Sequence, residues 1–240
     1  MEYQFAVLLA AVLCASVASQ QIPSYIKTCN YKSPDFNKCA LENGNYAIPY
    51  IVKGDRKLGI PSLNPLKLPL VDVTHNDFKL TLKDIEVSGL ENTHLKSINL
   101  DKTKLDAVLH IENLKIIGKY SIDGKVLLLT LQGEGPANIT AVGGDYEVKA
   151  PIEIYTKNGE NYLKLGKPEM EIKLQRAYFH FENLLNGDDR LGSEINDLLN
   201  ESWEDVLKDL GAPIKETIST VIESIVSKIT EKVPEKNIFP

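Results

Sequence analysis

The feature that most constrains this chain is an alternation of apolar and polar residues from about residue 72 to about residue 182. Leu80 and Leu82 are separated by polar residues, and residues 105–122 repeat the same period of two. This period is typical of β-strands that bury one face. The apolar residues change from odd to even positions near Glu112-Asn113, which predicts a bulge or bend that keeps one face inward.

Turn signals divide the alternating region into antiparallel strands. Asp123-Gly124 predicts a hairpin turn before residues 125–131, and Asn158-Gly159 predicts another between residues 145–155 and 162–165. We therefore expect a long, twisted antiparallel meander and no alternation of strands with helices.

Beyond Gly192 the apolar period becomes helical, with Ser193 as the predicted N-cap. Gly211 and Pro213 are expected to interrupt this helix, and Pro234 to end the second half. The second half carries an apolar stripe at three- and four-residue spacing. Its members are Ile214, Ile218, Val221, Ile222, Ile225 and Ile229.

The N-terminal part predicts one more helix and a connector. Residues 34–53 read as a helix with Ser33 as N-cap and Pro34 at its first position, and Asn43-Gly44 is a candidate break. Residues 54–70 are rich in glycine and proline, which predicts an extended connector. A sheet with one apolar face needs a cover, so the order of elements predicts a curved antiparallel sheet wrapped around the long C-terminal helix, an α+β fold.

The first residues are expected to be removed. Residues 5–17 are almost entirely apolar, which is too short for a membrane-spanning helix of about 20 residues but suits a signal peptide. Cleavage is predicted after Ala18 or one residue later, which leaves one domain over residues 22–240. The alternative is a buried N-terminal helix. The export interpretation predicts a secreted, extracellular protein without stable membrane anchoring.

The cysteine count agrees with export. Cys14 leaves with the signal peptide, and Cys29 and Cys39 remain as an even number, which predicts a disulfide in an oxidising compartment. Asn138-Ile139-Thr140 and Asn200-Glu201-Ser202 match the glycosylation pattern, so Asn138 and Asn200 are candidate acceptors.

Charge and motifs exclude several functions. The net charge of −6 argues against binding to nucleic acids and against a general affinity for anionic membranes. Neither the G-x-S-x-G nor the H-E-x-x-H motif occurs. The four histidines are scattered, which predicts no metal site: they are His75, His94, His110 and His180. The sequence therefore predicts a protein that is not an enzyme and has no cofactor.

Several segments then occur in a recognisable order. They are Ile22-Pro23-x-x-Ile26-x-x-Cys29, Pro34-Asp35-Phe36-Asn37-x-Cys39, Gly59-Ile60-Pro61-Ser62-Leu63-Asn64-Pro65-Leu66, Tyr120-Ser121-Ile122-Asp123-Gly124-Lys125-Val126, Leu131-x-Gly133-x-Gly135, Asn183-Leu184-Leu185-x-Gly187, Leu199-Asn200-x-x-Trp203 and Val233-Pro234. Together they resemble the takeout and juvenile hormone-binding protein family of secreted insect lipid carriers. The resemblance implies an apolar tunnel inside the curved sheet and the transport of a small apolar ligand, such as a fatty acid, a terpenoid or a juvenile hormone-like molecule. The chain lacks the cysteines for the second disulfide of moth hormone-binding members, which favours the takeout branch.

The candidate ligand contacts are of two kinds. Tyr120, Tyr146 and Tyr178 offer hydroxyl groups, and Trp203 is a further aromatic candidate. The apolar candidates Ile218, Val221, Ile222, Ile225 and Ile229 either line the ligand space or pack solidly against the sheet. We expect a monomer. The alternatives are a membrane-surface lipid-transfer protein that uses residues 214–233 as an amphipathic helix, and a secreted lipid esterase.

Overall fold

The computed structural model describes residues 22–73, 78–126 and 129–240. The predicted signal peptide and His75 lie outside these residues. Eight strands form one antiparallel sheet: β1 (Leu66–Asp72), β2 (Lys79–Ser88), β3 (His94–Leu100), β4 (Lys104–Val126), β5 (Leu129–Lys157), β6 (Glu160–Leu165), β7 (Glu169–Lys173) and β8 (Arg176–Phe181). Within these residues, four α-helices accompany it: α1 (Phe36–Lys53), α2 (Asp189–Glu201), α3 (Trp203–Thr230) and the short α4 (Glu235–Ile238).

Two very long strands organise the sheet. β4 and β5 have 23 and 29 residues and pair along the whole of β4 in one register, interrupted at Glu112 and Gly143. Glu112 and Asn113 are both exposed, so the predicted change of face is present. Gly143 has φ 58°, a conformation that costs glycine little, and it lies opposite the change of face. The two strands thus bend together and keep their apolar residues inward.

The shorter strands extend this pair on both sides. β2 pairs with the second half of β4 and β3 with its first half, and β1 lies outside β2. β6, β7 and β8 pair with successive parts of β5. The predicted turn at Asn158-Gly159 is confirmed, since both residues have positive φ between β5 and β6. The turn predicted at Asp123-Gly124 is wrong: these residues pair with Gln132 and Leu131 inside the β4–β5 ladder, and the strands continue to Val126 and Leu129.

The C-terminal helix differs from the prediction in its breaks. α3 runs without interruption through Gly211 and Pro213, and the chain breaks earlier, at Ser202. Proline removes one helical hydrogen bond, but apolar residues of α3 on both sides of Pro213 pack on the sheet, and that tertiary packing outweighs the local cost. α3 ends at Thr230, before Pro234.

The helix before it also begins earlier than predicted. Asp188, and not Ser193, is the N-cap of α2, because its side chain accepts a hydrogen bond of 3.0 Å from the Leu191 N–H. Ser193 lies one turn inside the helix. Both aspartate and serine suit a cap, so sequence alone did not separate them.

The N-terminal helix is continuous. α1 begins at Phe36, and Asn43-Gly44 does not break it. At Gly44 a Cβ atom would lie 2.9 Å from a Leu95 methyl group, so the glycine permits close packing against β3. The connector prediction for residues 54–70 is wrong at its end, where β1 begins at Leu66, because Leu66 and Leu68 pack on the sheet core.

Asparagine side chains of the helices bond to the outer edges of two strands. The amide of Asn200 on α2 accepts from the Phe179 N–H and donates to the Phe179 carbonyl, both at 2.8 Å, and Asn196 makes the same pair of bonds to Phe181 at 2.9 Å. On α1, Asn45 bonds in the same way to Leu95 of β3, at 2.8 and 2.9 Å. We call these three side chains the asparagine clamps.

The clamp at Asn200 bears on the predicted glycan. Its Nδ2 donates to the carbonyls of both Phe179 and Asn196, so a glycan there would have to displace a bond that holds α2 to the sheet. Asn138 is exposed on β5 and remains the proposed acceptor of the two.

The predicted disulfide is confirmed. Cys29 and Cys39 are bonded, with an S–S distance of 2.02 Å, and tie the N-terminal segment to the first turn of α1. Cys29 belongs to a second, smaller apolar cluster with Phe36, Leu163 and Phe239, which joins both ends of the described chain to β6.

Candidate ligand-binding site

A large cavity lies between the concave face of the sheet and α3. Its volume is about 390 Å³, within the usual range of small-molecule sites of about 300–1,000 Å³. The sheet contributes its inward residues, among them Leu82, Ile85 and Ile111, and α1 contributes Ile48 and Ile51. The alternation of the strands therefore produces the lining directly, because every second residue points into the cavity.

The lining contains three side-chain hydroxyl groups in an otherwise apolar surface. Thr93 donates to the Leu90 carbonyl at 2.7 Å and Thr217 to the Pro213 carbonyl at 3.0 Å, so both are used within the protein. Tyr146 of β5 is 6% exposed, and burial raises its pKa to about 12. Its hydroxyl has no hydrogen-bond partner among the described residues. Tyr146 is thus the free donor of this cavity.

Five of the nine predicted ligand contacts line the large cavity. They are Tyr146, Ile218, Val221, Ile222 and Ile225. The four isoleucine and valine residues share one face of α3, opposite the tyrosine-bearing strand. No lysine, arginine, histidine, aspartate or glutamate lines this cavity in the part of the chain that the structure describes.

The remaining candidates lie elsewhere. Tyr120 is buried, donates to the Glu182 carbonyl at 2.7 Å, and has its pKa raised by burial to about 12. Tyr178 is 50% exposed on β8, with the Arg176 guanidinium 5.1 Å from its ring centre. Trp203 packs against the rim of the core near the same arginine. None of these three lines the large cavity.

The last candidate, Ile229, lines a second cavity at the other end of α3. This small cavity has a volume of about 230 Å³ and is formed by residues 22–29, the inner face of α1, the end of α3 and Phe239. Thr230 belongs to its wall, and its Oγ1 is buried without a hydrogen-bond partner among the described residues. α3 therefore passes from one cavity to the other within one turn, at Ile225 and Val226.

The sequence prediction missed the contribution of α1. Ile48, Ile51 and Val52 line the large cavity, and Ala40, Gly44 and Ala47 line the small one. Their three- and four-residue spacing was a usable signal, since apolar residues at such spacing occupy one helix face. What the pattern lacked was any indication of which element they face.

The described ranges contain neither a metal-binding cluster nor a membrane-spanning helix. Over residues 22–73, 78–126 and 129–240, no three His, Cys, Asp or Glu side chains group to hold a metal ion. No helix of these ranges is long and apolar enough to cross a membrane. His110 lies on the outer face of the sheet, with its Nδ1 2.6 Å from Asp145 Oδ1.

A curved antiparallel sheet closed by a long helix over an apolar cavity defines a class of protein: the lipid-carrier fold that the sequence resemblance implied. The family model described as haemolymph juvenile hormone binding protein matches residues 7–240. The chain belongs to this family of hydrophobic-ligand-binding proteins.

Individual relatives agree with that assignment. The circadian clock-controlled protein daywake of Drosophila melanogaster is 26% identical over 223 residues, which cover 87% of this chain and 85% of that protein. Its counterpart in Drosophila yakuba is 24% identical over 218 residues, covering 84% and 82%. The crystal structure of Takeout 1 from Epiphyas postvittana superposes with a TM-score of 0.80 at 22% identity, covering 89% of this chain and 99% of that one. This last likeness shows the fold.

Proposed function

We propose that the protein is a secreted, non-enzymatic carrier that binds one small hydrophobic ligand in the large cavity, with Tyr146 as the polar contact. The observation that carries the proposal is the lining: aliphatic and aromatic side chains surround one free hydroxyl donor. Membership of a family named for hormone binding in haemolymph supports both the ligand class and an extracellular location.

The lining also favours a particular ligand chemistry. A free hydroxyl donor suits a carbonyl, ester, ether or epoxide oxygen, each of which accepts a hydrogen bond without charge. A carboxylate would enter a space that no cationic side chain lines in the described ranges, and an uncompensated charge in such surroundings is costly. We therefore propose an uncharged terpenoid or lipid as the preferred ligand, with fatty acids bound in their protonated form.

Export is the second part of the proposal. The apolar segment of residues 5–17 supports a signal peptide, and the disulfide between Cys29 and Cys39 suits an oxidising compartment. Over the described ranges, the wall of the large cavity contains no charged side chain and no serine, cysteine or histidine of an esterase triad, which supports a carrier rather than an esterase. The apolar stripe of residues 214–233 faces the cavities, which disfavours its use as a membrane-surface helix.

A displacement experiment tests the ligand class. Delipidated protein is loaded with an environment-sensitive dye, and a long-chain methyl ketone and the fatty acid of equal chain length compete for the site. We expect one saturable site, displacement by the ketone at every pH, and displacement by the fatty acid that strengthens as the pH falls. The sign follows from burial, which raises the pKa of a carboxyl group and makes its neutral form the one that binds. Saturable binding that favours the carboxylate at high pH would contradict the uncharged-ligand proposal.

Two buried tyrosines, Tyr120 and Tyr146, provide a matched pair of variants. Tyr146→Phe removes the free donor and should weaken binding of the ketone by about 1 kcal/mol, roughly fivefold. The binding of a plain alkane, which accepts no hydrogen bond, should not change. Tyr120→Phe removes the bond to the Glu182 carbonyl and should lower the melting temperature without changing affinity. Equal affinity losses in both variants would show that Tyr146 is not the polar contact.

A further inference from the structure

The outer face of α1 and the segments beside it carry an exposed aromatic and basic surface that lies outside the large cavity, although its Lys27 also lines the small cavity. Tyr46 and Tyr50 are 43% and 40% exposed, one helical turn apart, and their ring centres are 5.4 Å from each other. The ring of Tyr25 stacks on Tyr50 at 5.4 Å and 8°. Tyr46 and Tyr50 therefore form an exposed aromatic surface with their hydroxyl oxygens 3.4 Å apart, and the half-buried Tyr25 ring supports it from one side.

Two lysine ammonium groups lie close to these rings. The Lys27 ammonium lies 3.9 Å from the centre of the Tyr46 ring, and the Lys53 ammonium 5.9 Å from that of Tyr50. Arg56 and Lys57 follow in the exposed loop after α1. We call these seven residues, Tyr25, Lys27, Tyr46, Tyr50, Lys53, Arg56 and Lys57, the α1 surface.

The local charge is opposite to that of the whole chain. Residues 22–58 contain six Lys or Arg and three Asp or Glu, whereas the chain as a whole has a net charge of −6. Among the described residues, no carboxylate lies within 4 Å of the four cations of the α1 surface. Nearby, the Asp55 carboxylate accepts from the Tyr25 hydroxyl at 2.6 Å and from two backbone N–H groups, and exposed Glu42 lies one turn before Tyr46.

A second aromatic pair shows what this surface has in addition. Tyr155 and Tyr162 on the β5–β6 hairpin have ring centres 5.9 Å apart, and Ile154 beside them is 46% exposed. Residues 151–165 contain two Lys and two Glu, so that surface has no net charge. The hairpin therefore provides an internal reference with aromatic rings but without the positive charge.

We propose that the α1 surface docks the protein reversibly on the surface of an anionic lipid bilayer. Tyrosine suits the headgroup region because its ring is apolar and its hydroxyl stays hydrated, and lysine and arginine attract anionic headgroups. The inner residues of α1 line both cavities, so α1 is a wall that the two cavities share. The α1 surface lies on the opposite, outer side of this wall. Docking there would place the cavities next to the membrane that supplies or receives the ligand.

The test is vesicle co-sedimentation of the delipidated mature protein, without added ligand. Vesicles of phosphatidylcholine alone are compared with phosphatidylcholine and phosphatidylserine in a three-to-one ratio. We expect binding to the anionic vesicles at low salt and its loss near 1 M salt, where the Debye length is about 3 Å. Absence of binding to the anionic vesicles at low salt would overturn the proposal.

Two charge-neutralising double variants locate the contact. Lys27→Gln with Lys53→Gln should weaken binding roughly thirtyfold, since each lysine near such a surface contributes about fivefold. Lys157→Gln with Lys164→Gln on the hairpin removes the same charge and should leave binding unchanged. Equal losses, or a larger loss in the hairpin variant, would overturn the assignment to α1.

A third variant tests the rings, and ligand binding separates this proposal from the carrier function. Tyr46→Ser with Tyr50→Ser should weaken vesicle binding severalfold at unchanged charge, and unchanged binding would show that the rings make no contact. All three variants should still bind the cavity dye, which reports that they are folded. Vesicle binding without dye binding in the parent protein would leave docking intact and refute the carrier function.

Discussion

The large and small cavities share α3 but are enclosed in different ways. The large cavity is enclosed mainly by hydrogen-bonded strands, with α3 across it and Ile48, Ile51 and Val52 of α1 at one side, so most of its wall belongs to one continuous sheet. The small cavity is closed by the N-terminal segment, α1 and the C-terminal residues, which a disulfide and a cluster of aromatic rings hold together. The comparison teaches that the sheet fixes the shape of one cavity, whereas cross-links between chain ends fix the other.

The largest expected effect concerns the wall of the large cavity. Ile222→Asp places a carboxylate where no cation is available among the described lining residues, and should destabilise the protein by about 3–5 kcal/mol at pH 8 and abolish dye binding. Ser224→Asp introduces the same group on the exposed side of α3 and serves as the control. Thermal melts and dye titrations measure both. An Ile222→Asp protein that melts and binds like its parent would show that this stripe does not face a closed apolar space.

Removing the disulfide tests the closure of the small cavity. Cys29→Ser with Cys39→Ser should reduce the free energy of unfolding by about 3 kcal/mol, because the cross-link restricts a short loop of the unfolded chain. Dye affinity of the protein that remains folded should not change, since the large cavity contains neither residue. Denaturant unfolding and dye titration check the two statements. A parallel loss of dye affinity would mean that the two cavities are not enclosed independently.

A pair of threonines should respond in opposite directions. Thr230→Val at the small cavity removes a buried hydroxyl that has no hydrogen-bond partner in the described ranges and should stabilise the protein by about 1 kcal/mol. Thr217→Val at the large cavity removes the bond to the Pro213 carbonyl and should destabilise it by about 0.5–1 kcal/mol. Chemical denaturation measures both. Destabilisation by Thr230→Val would indicate that its hydroxyl has a partner, such as a bound ligand or water.

The smallest expected effect is a pH dependence of the free energy of unfolding, which comes from His110 on the outer face of the sheet. Hydrogen bonds from His110 to Asp145 and then to Glu112 raise the pKa of the imidazole on the outer face of the sheet. This stabilisation is complete below the unfolded pKa of about 6.5 and is lost as the pH rises through the higher folded pKa. His110→Gln should therefore flatten the slope of stability against pH in that window, as measured by thermal melts at several pH values. An unchanged slope in His110→Gln would assign it to other groups.

Sequence patterns predicted the parts of this fold in which local and tertiary preferences agree. The alternation gave the sheet, and the change of face at Glu112 followed from side-chain parity alone. The four residues from Ile218 to Ile225 reached the large cavity because a helical stripe and a one-sided sheet must cover each other.

The patterns failed where tertiary contacts override local signals. Gly124 is compatible with an extended strand, so Asp123-Gly124 did not turn, and burial of the stripe kept α3 continuous through Pro213. Ile229 lines the small cavity because the N-terminal segment and the C-terminal residues pack around that end of α3. The spacing of apolar residues along the sequence carries no information about this packing. Tyr120 differs from Tyr146 because its hydroxyl donates to the Glu182 carbonyl, whereas that of Tyr146 has no partner among the described residues. Glu182 is distant in sequence, so the sequence pattern did not indicate this difference.

The asparagine clamps have a consequence for the behaviour of the protein in concentrated solution. Strands with unpaired edges can template the addition of another chain, which leads to dimers or fibrils. At Leu95 on β3, the backbone groups that would receive such a chain are already bonded to Asn45. On β8, those of Phe179 are bonded to Asn200 and those of Phe181 to Asn196. An incoming strand would have to break two good hydrogen bonds at each of these residues before forming its own. The helices that enclose the ligand space thereby also protect the sheet against edge-to-edge aggregation.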